Sequence, residues 1–144
     1  MTPRKLGFKP LLEAFYARLD THALTKDYRV YNKGNVESDV TWPYITFGTP
    51  MGKIDDIFTT RDTDSEDNVV IVDIWSYYLG DKEIVEMMNN IVQAIKSSPL
   101  SITGYHDPPL TFLDYADVLD DATESGRPVK HGLLRFRFHM APSS

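Results

Sequence analysis

No cysteine occurs in the 144 residues. That excludes a disulfide framework, a thiolate metal site and a cysteine nucleophile together, and it fits synthesis in a reducing compartment. Long hydrophobic runs are missing too. The longest, Val69-Val70-Ile71-Val72, is closed by Asp73, far short of the roughly 18 apolar residues a membrane helix requires. The opening Met1-Thr2-Pro3-Arg4-Lys5-Leu6-Gly7-Phe8 has two basic residues but no apolar stretch of signal-peptide length. The expectation is a chain made in the cytoplasm, without a secretory signal or a membrane span. Positive charge is also scarce: 15 Lys and Arg stand against 21 Asp and Glu, for a net charge of −6, and no three basic residues are consecutive. Tight direct binding to nucleic acid, which needs clustered cations against phosphate, is disfavoured.

What is present is ordinary for a folded domain. Hydrophobic residues make up 42% and charged residues 25%, enough to bury a core, and no linker, repeat or low-complexity segment divides the chain. Residues 1–144 are therefore expected to form one domain. Phe8, Leu11, Leu12, Phe15, Tyr16 and Leu19 recur at helical spacing, and Pro10 suits a first turn, where its missing N–H costs nothing. A short strand, Tyr28 to Tyr31, follows, and then a loop over 35–42. Pro43 opens the strand Tyr44-Ile45-Thr46-Phe47, which Gly48 to Gly52 breaks or bends, and Ile54 to Phe58 resumes it. Residues 59–68 are polar and acidic and read as a long exposed loop.

The strand over 69–79 is apolar on both faces, a pattern typical of a central strand covered on both sides. A helix with the stripe Ile84, Val85, Met88, Ile91, Val92 and Ile95 begins after Gly80-Asp81, with Asp81 and Glu83 near its positive end, and stops at Ser97-Ser98-Pro99. The last third predicts a hairpin. One arm runs from Leu110 to Leu119; the other sets Leu134, Phe136, Phe138 and Met140 inward and Arg135, Arg137 and His139 outward. Between them lies an acidic tip, Asp120 to Pro128. The fold class is thus α+β: an antiparallel or mixed β-sheet of about four strands plus a long hairpin, with two helices packed on one face.

Catalytic signatures are missing. There is no Gly-x-Ser-x-Gly elbow, dinucleotide glycine motif or phosphate-binding loop. His22, His106, His131 and His139 show no zinc-type spacing. Asp62-x-Asp64-x-Glu66 echoes a calcium loop but lacks its glycine and its final bidentate glutamate, so it reads as a solvated tip. The adjacent pairs Asp55-Asp56 and Asp120-Asp121 point to opposite faces of extended backbone. No enzyme, metal or cofactor is expected. Asp73, a carboxylate within the central strand, requires a partner; Arg135 and Arg137 are candidates, and so is coverage of that face by a neighbouring subunit. Tyr77, Tyr78, Tyr105 and Tyr115 suit interfaces, where tyrosine is enriched.

Several phrases stand in an order that carries a resemblance. They are Pro43-Tyr44-Ile45-Thr46-Phe47-Gly48, Val70-x-Val72-x-Ile74-Trp75-Ser76, the helix Lys82 to Ile95, Ser98-Pro99-Leu100, and His131-Gly132-Leu133-Leu134-Arg135-Phe136-Arg137. In this order the chain resembles the tail completion, or tail terminator, proteins of long-tailed phages, the head-to-tail joining family. The resemblance implies a structural virion protein at the head-proximal end of the tail. It would form a ring, typically hexameric, that caps the tail tube protein's polymer, fixes tube length and meets the head connector or neck protein, while DNA passes through its lumen without specific binding. Negative walls that repel phosphate agree with the acidic balance. The residues expected at an interface or lumen are Asp62, Asp64, Glu66 and Asp67 of one acidic tip, Asp120, Asp121 and Glu124 of the other, and Arg135 and Arg137 of the last strand. Either Tyr28 to Tyr31 or the final strand is expected to be a sheet edge that pairs across subunits.

Overall fold

The computed structural model describes residues 7–32, 40–48, 50–55, 65–77, 80–108, 111–122 and 128–143. In chain order the elements are α1 (Phe8–Thr21), β1 (Arg29–Asn32), β2 (Tyr44–Phe47), β3 (Met51–Asp55), β4 (Ser65–Ser76), α2 (Lys82–Lys96), β5 (Thr111–Ala122) and β6 (Pro128–Met140). The strands form one six-stranded mixed sheet in the order β1-β2-β4-β6-β5, with β3 beside β4 as well. Only β1 and β2 run parallel; the remaining pairs are antiparallel. The α+β class and its mixed sheet are as the sequence predicts.

Both helices lie on one face. Leu11, Phe15 and Leu19 of α1 and Ile84, Met88, Ile91 and Ile95 of α2 share a core with Ile45, Val70, Val72, Ile74, Leu134, Phe136 and Phe138. Phe15 packs edge-on to Phe136 and Phe138, with ring centroids 5.7 and 6.1 Å away, so α1 is seated on the sheet by aromatic geometry as well as buried area. Helix α2 comes so near β6 that a Cβ at Gly132 would lie 2.9 Å from Met88 Sδ and 3.1 Å from Ile84 Cγ1. Glycine at this position lets the helix settle on the strand. The two helices are tied at their ends: Arg18 of α1 donates to Ala94 O, Ser98 O and Pro99 O at the end of α2. These carbonyls cluster where the helix dipole is negative.

The boundaries depart from expectation in several places. β5 runs past Leu119 to Ala122, so Asp120 and Asp121 of the expected tip belong to the strand, and β4 ends at Ser76. β4 starts at Ser65, four residues before Val69, because β3 and β6 flank Ser65–Asn68 and hold this polar segment in the ladder. The exposed-loop expectation therefore fails for Glu66 and Asn68, both buried. β3 covers Met51–Asp55 instead of starting at Ile54; the remainder of the predicted piece, 56–58, lies outside the described residues. The final strand, β6, is interior, paired with β4 on one side and β5 on the other. β5 is the edge in its place, while β1 is an edge as predicted.

Candidate assembly surface

Strand alternation gives the sheet a second face that no described helix covers. On β4 it consists of Asp67, Val69, Ile71, Asp73 and Trp75; opposite them on β6 stand His139, Arg137, Arg135, Leu133 and His131. On β5 it continues through Phe112, Tyr115, Asp117 and Leu119. Val69, Ile71, Trp75 and Leu133 are half-buried, whereas Phe112, Tyr115 and Leu119 are 36%, 46% and 42% exposed. On β4 the Val70, Val72 and Ile74 side lies under the helices, while on the other side, among the described residues, no helix lies over Val69, Ile71 and Trp75.

One end of this face is aromatic. Trp42 stacks on Tyr77 at 3.7 Å and meets Tyr44 edge-on at 4.8 Å, and Trp75 stacks on the His131 ring at 4.0 Å, nearly parallel. Beneath them His131 Nε2 lies 2.7 Å from Asp73 Oδ1. The partner sought for Asp73 is therefore His131, not Arg135 or Arg137. Asp73 and His131 sit on neighbouring strands, each on this face, and the ring can reach the carboxylate directly. Burial, then the nearby phenols of Tyr77 and Tyr31, raise the Tyr44 hydroxyl above its usual pKa.

At the other end Arg137 lies over the Phe112 ring at 4.3 Å and donates from Nε to Asp114 Oδ2 at 3.1 Å. Arg135 is exposed. His139 and Asp67 pair across strands at 2.9 Å. Tyr115 donates to Asp117, which raises the phenol's pKa. Lys130 sits between Asp120 and Asp81, 3.1 Å from the latter, and these hydrogen bonds, Asp120 foremost, raise its pKa.

The predicted acidic tips fare differently. Asp62, Asp64 and Glu124 lie outside the described residues, as does Tyr78. Glu66, expected on a solvated tip, is instead the centre of a buried polar knot: its carboxylate accepts from Gly7 N at 2.9 Å, Asn68 Nδ2 at 3.2 Å and Tyr105 Oη at 2.6 Å. This places negative charge at the start of α1, where the helix dipole favours it. Tyr105 thus has a structural task that its sequence context did not disclose. Asp67 is on the open face, and Asp120 is exposed at the hairpin end; Asp121 falls in β5 beside it. His22 and His106 join no such cluster: His22 Nδ1 accepts from the nearby Leu24 N, and His106 is exposed. Among the described residues no group of three or more His, Asp or Glu is placed to hold a metal ion.

A family model described as "Tail completion protein gp17" matches residues 9–141. Among solved structures the chain is similar to one from the virion of a native gene transfer agent particle, with 12% identity, a TM-score of 0.72, and coverage of 91% of this chain and 94% of that one. It is similar also to the gp17 protein of bacteriophage SPP1, with 16% identity, a TM-score of 0.58, and coverage of 93% and 91%. At these identities the structural likeness is one of fold. A search of curated protein sequences finds no match.

Proposed function

Because the chain belongs to the tail completion protein gp17 family, we propose that it caps the head-proximal end of a phage tail tube as a ring, typically of six copies. The ring ends polymerisation of the tube protein and presents a surface to the head connector, and DNA crosses its lumen without specific binding. The work is structural and located in the virion, after assembly in the bacterial cytoplasm. The observation that carries this reading is the family match over nearly the whole chain.

The surface chemistry supports it. A sheet face with Phe112, Tyr115, Leu119 and the Trp75–His131 stack accessible has the mixed aromatic and charged character of protein interfaces. The net charge of −6 suits a passage that should not retain phosphate. Of the two acidic tips, we assign the β5–β6 end, which begins at Asp120 and Asp121, to the lumen or an axial partner; buried Glu66 cannot serve there. The likeness to a chain of a gene transfer agent virion favours, as a second reading, the same role in a phage-derived particle.

The test is the mass of the purified protein by light scattering over a wide concentration range, followed by its addition to growing tail tubes under electron microscopy. Annular particles and tubes of limited length are expected. Tubes that elongate unchanged in its presence, with no protein at their ends, would overturn the reading.

A further inference from the structure

The strand path β1-β2-β4-β6-β5 ends on two strands of opposite electrostatic character. β5 carries Asp114, Asp117, Asp120 and Asp121 and no basic residue in Thr111–Ala122. β1 carries Arg29 and no acidic residue in Arg29–Asn32, and the surrounding sequence 26–33 adds Lys26 and Lys33 against a single acid, Asp27.

β5 also has the side chains of an interior strand. Leu113, Ala116 and Val118 face the helix side, and Phe112, Tyr115 and Leu119 face the open side. Edge strands are normally short, charged, bulged or covered. β5 has aspartates and a bulge between Leu113 and Tyr115, yet it runs for 12 residues with apolar side chains on both faces. Along its helix side runs a cleft of about 480 Å³ lined by Val85, Met88, Val92, Leu113, Ala116 and Val118, among others. A strand laid beside β5 would place alternate side chains into this cleft and over Phe112, Tyr115 and Leu119. A second β5 is a poor occupant, because its aspartates would oppose aspartates and like charges across a strand pair destabilise it.

We propose that β5 of one copy takes β1 of the next, so that the acidic edge meets the basic edge and the sheet continues from subunit to subunit. Such a contact joins two different surfaces, head to tail, as a closed ring requires. The inference rests on the ring reading above and names the strands that would close it.

The absence of cysteine makes the test direct. Single variants Asn32→Cys and Ala116→Cys are prepared, mixed under conditions of assembly and treated with a short bismaleimide. A cross-linked dimer is expected from the mixture and not from either variant alone; the double variant should yield a ladder of higher multimers. Asp117→Arg should abolish the ladder, and mixing it with Arg29→Asp should restore dimer cross-links, an outcome a merely misfolded variant cannot give. Rings visible by electron microscopy without any β1–β5 cross-link would overturn the strand pairing and leave the ring standing. Monomers throughout, with no cross-link and no tube capping, would overturn both.

Discussion

His131 Nε2 meets Asp73 Oδ1 at 2.7 Å across the β4–β6 pair, with the imidazole stacked on Trp75 at 4.0 Å. The carboxylate is nearly enclosed, with 5% of its side chain exposed against 15% for the imidazole. A carboxylate so placed loses its hydration on folding and depends on its protein hydrogen bonds to compensate.

Replacing His131 with Ala should therefore cost about 1–3 kcal/mol, the range for leaving a buried hydrogen-bonding group short of a partner. Removing both groups, as Asp73→Ala with His131→Ala, should cost less than the sum of the single changes, because the two act on one interaction. Urea unfolding at neutral pH measures all three variants; strict additivity would show that the contact is energetically idle.

Arg18 is the clamp between the two helices. Besides the three carbonyls it donates to Ser97 Oγ at 3.2 Å and Ser98 Oγ at 3.0 Å. Arg18→Ala should lower stability by about 1–2 kcal/mol, since a cation is removed from a helix C-terminus along with several partly solvated hydrogen bonds. Arg18→Lys should recover only part of the loss, because an ammonium cannot reproduce the planar fork that reaches several acceptors at once. The urea midpoints of the two variants decide the matter.

Tyr44 provides the pH dependence. Its ordinary pKa of 10.0 is raised, first by burial and then by the Tyr77 and Tyr31 phenols. The folded state holds this proton more tightly than the unfolded state. Its contribution is complete below the unfolded value near 10.0 and is lost as pH climbs through the higher folded value. Tyrosinate absorbance of the wild type should show a late-titrating phenol that is absent from Tyr44→Phe. The stability difference between the two proteins should then drift in favour of Tyr44→Phe as the solution becomes strongly alkaline.

These contacts differ in how far the chain announces them. The alternation of Leu134, Phe136, Phe138 and Met140 identifies the core side of β6, and the spacing from Leu11 to Leu19 identifies the buried stripe of α1; both were legible because strand and helix periods depend on local order. Glu66 was not. Its partners Gly7 and Tyr105 lie 59 and 39 residues away, and an acidic residue within a polar run looks solvated until the sheet closes around it. Asp73 announced a need for a partner without naming one, since His131, 58 residues on, becomes its neighbour only through the β4–β6 register. Open-face positions such as Ile71 and Leu133 carry apolar residues just as the helix side does. Pattern alone therefore could not show which side of β4 the two helices cover.

Gly132 offers the sharpest test of the helix seat. A Cβ there would meet Met88 Sδ at 2.9 Å and Ile84 Cγ1 and Cδ1 at 3.1 and 3.2 Å, so α2 must lift or its side chains must turn. Gly132→Ala should destabilise by about 1–3 kcal/mol, the usual range for forcing extra volume into a packed core. Met88 is unbranched and can shift, whereas the β-branch of Ile84 leaves less freedom. Combining Gly132→Ala with Ile84→Val removes the methyl at 3.2 Å and should therefore cost less than the sum of the two single substitutions. Equilibrium unfolding of the four proteins measures the coupling. If Gly132→Ala alone proves neutral, α2 does not rest against β6 as closely as the Gly132 contact requires.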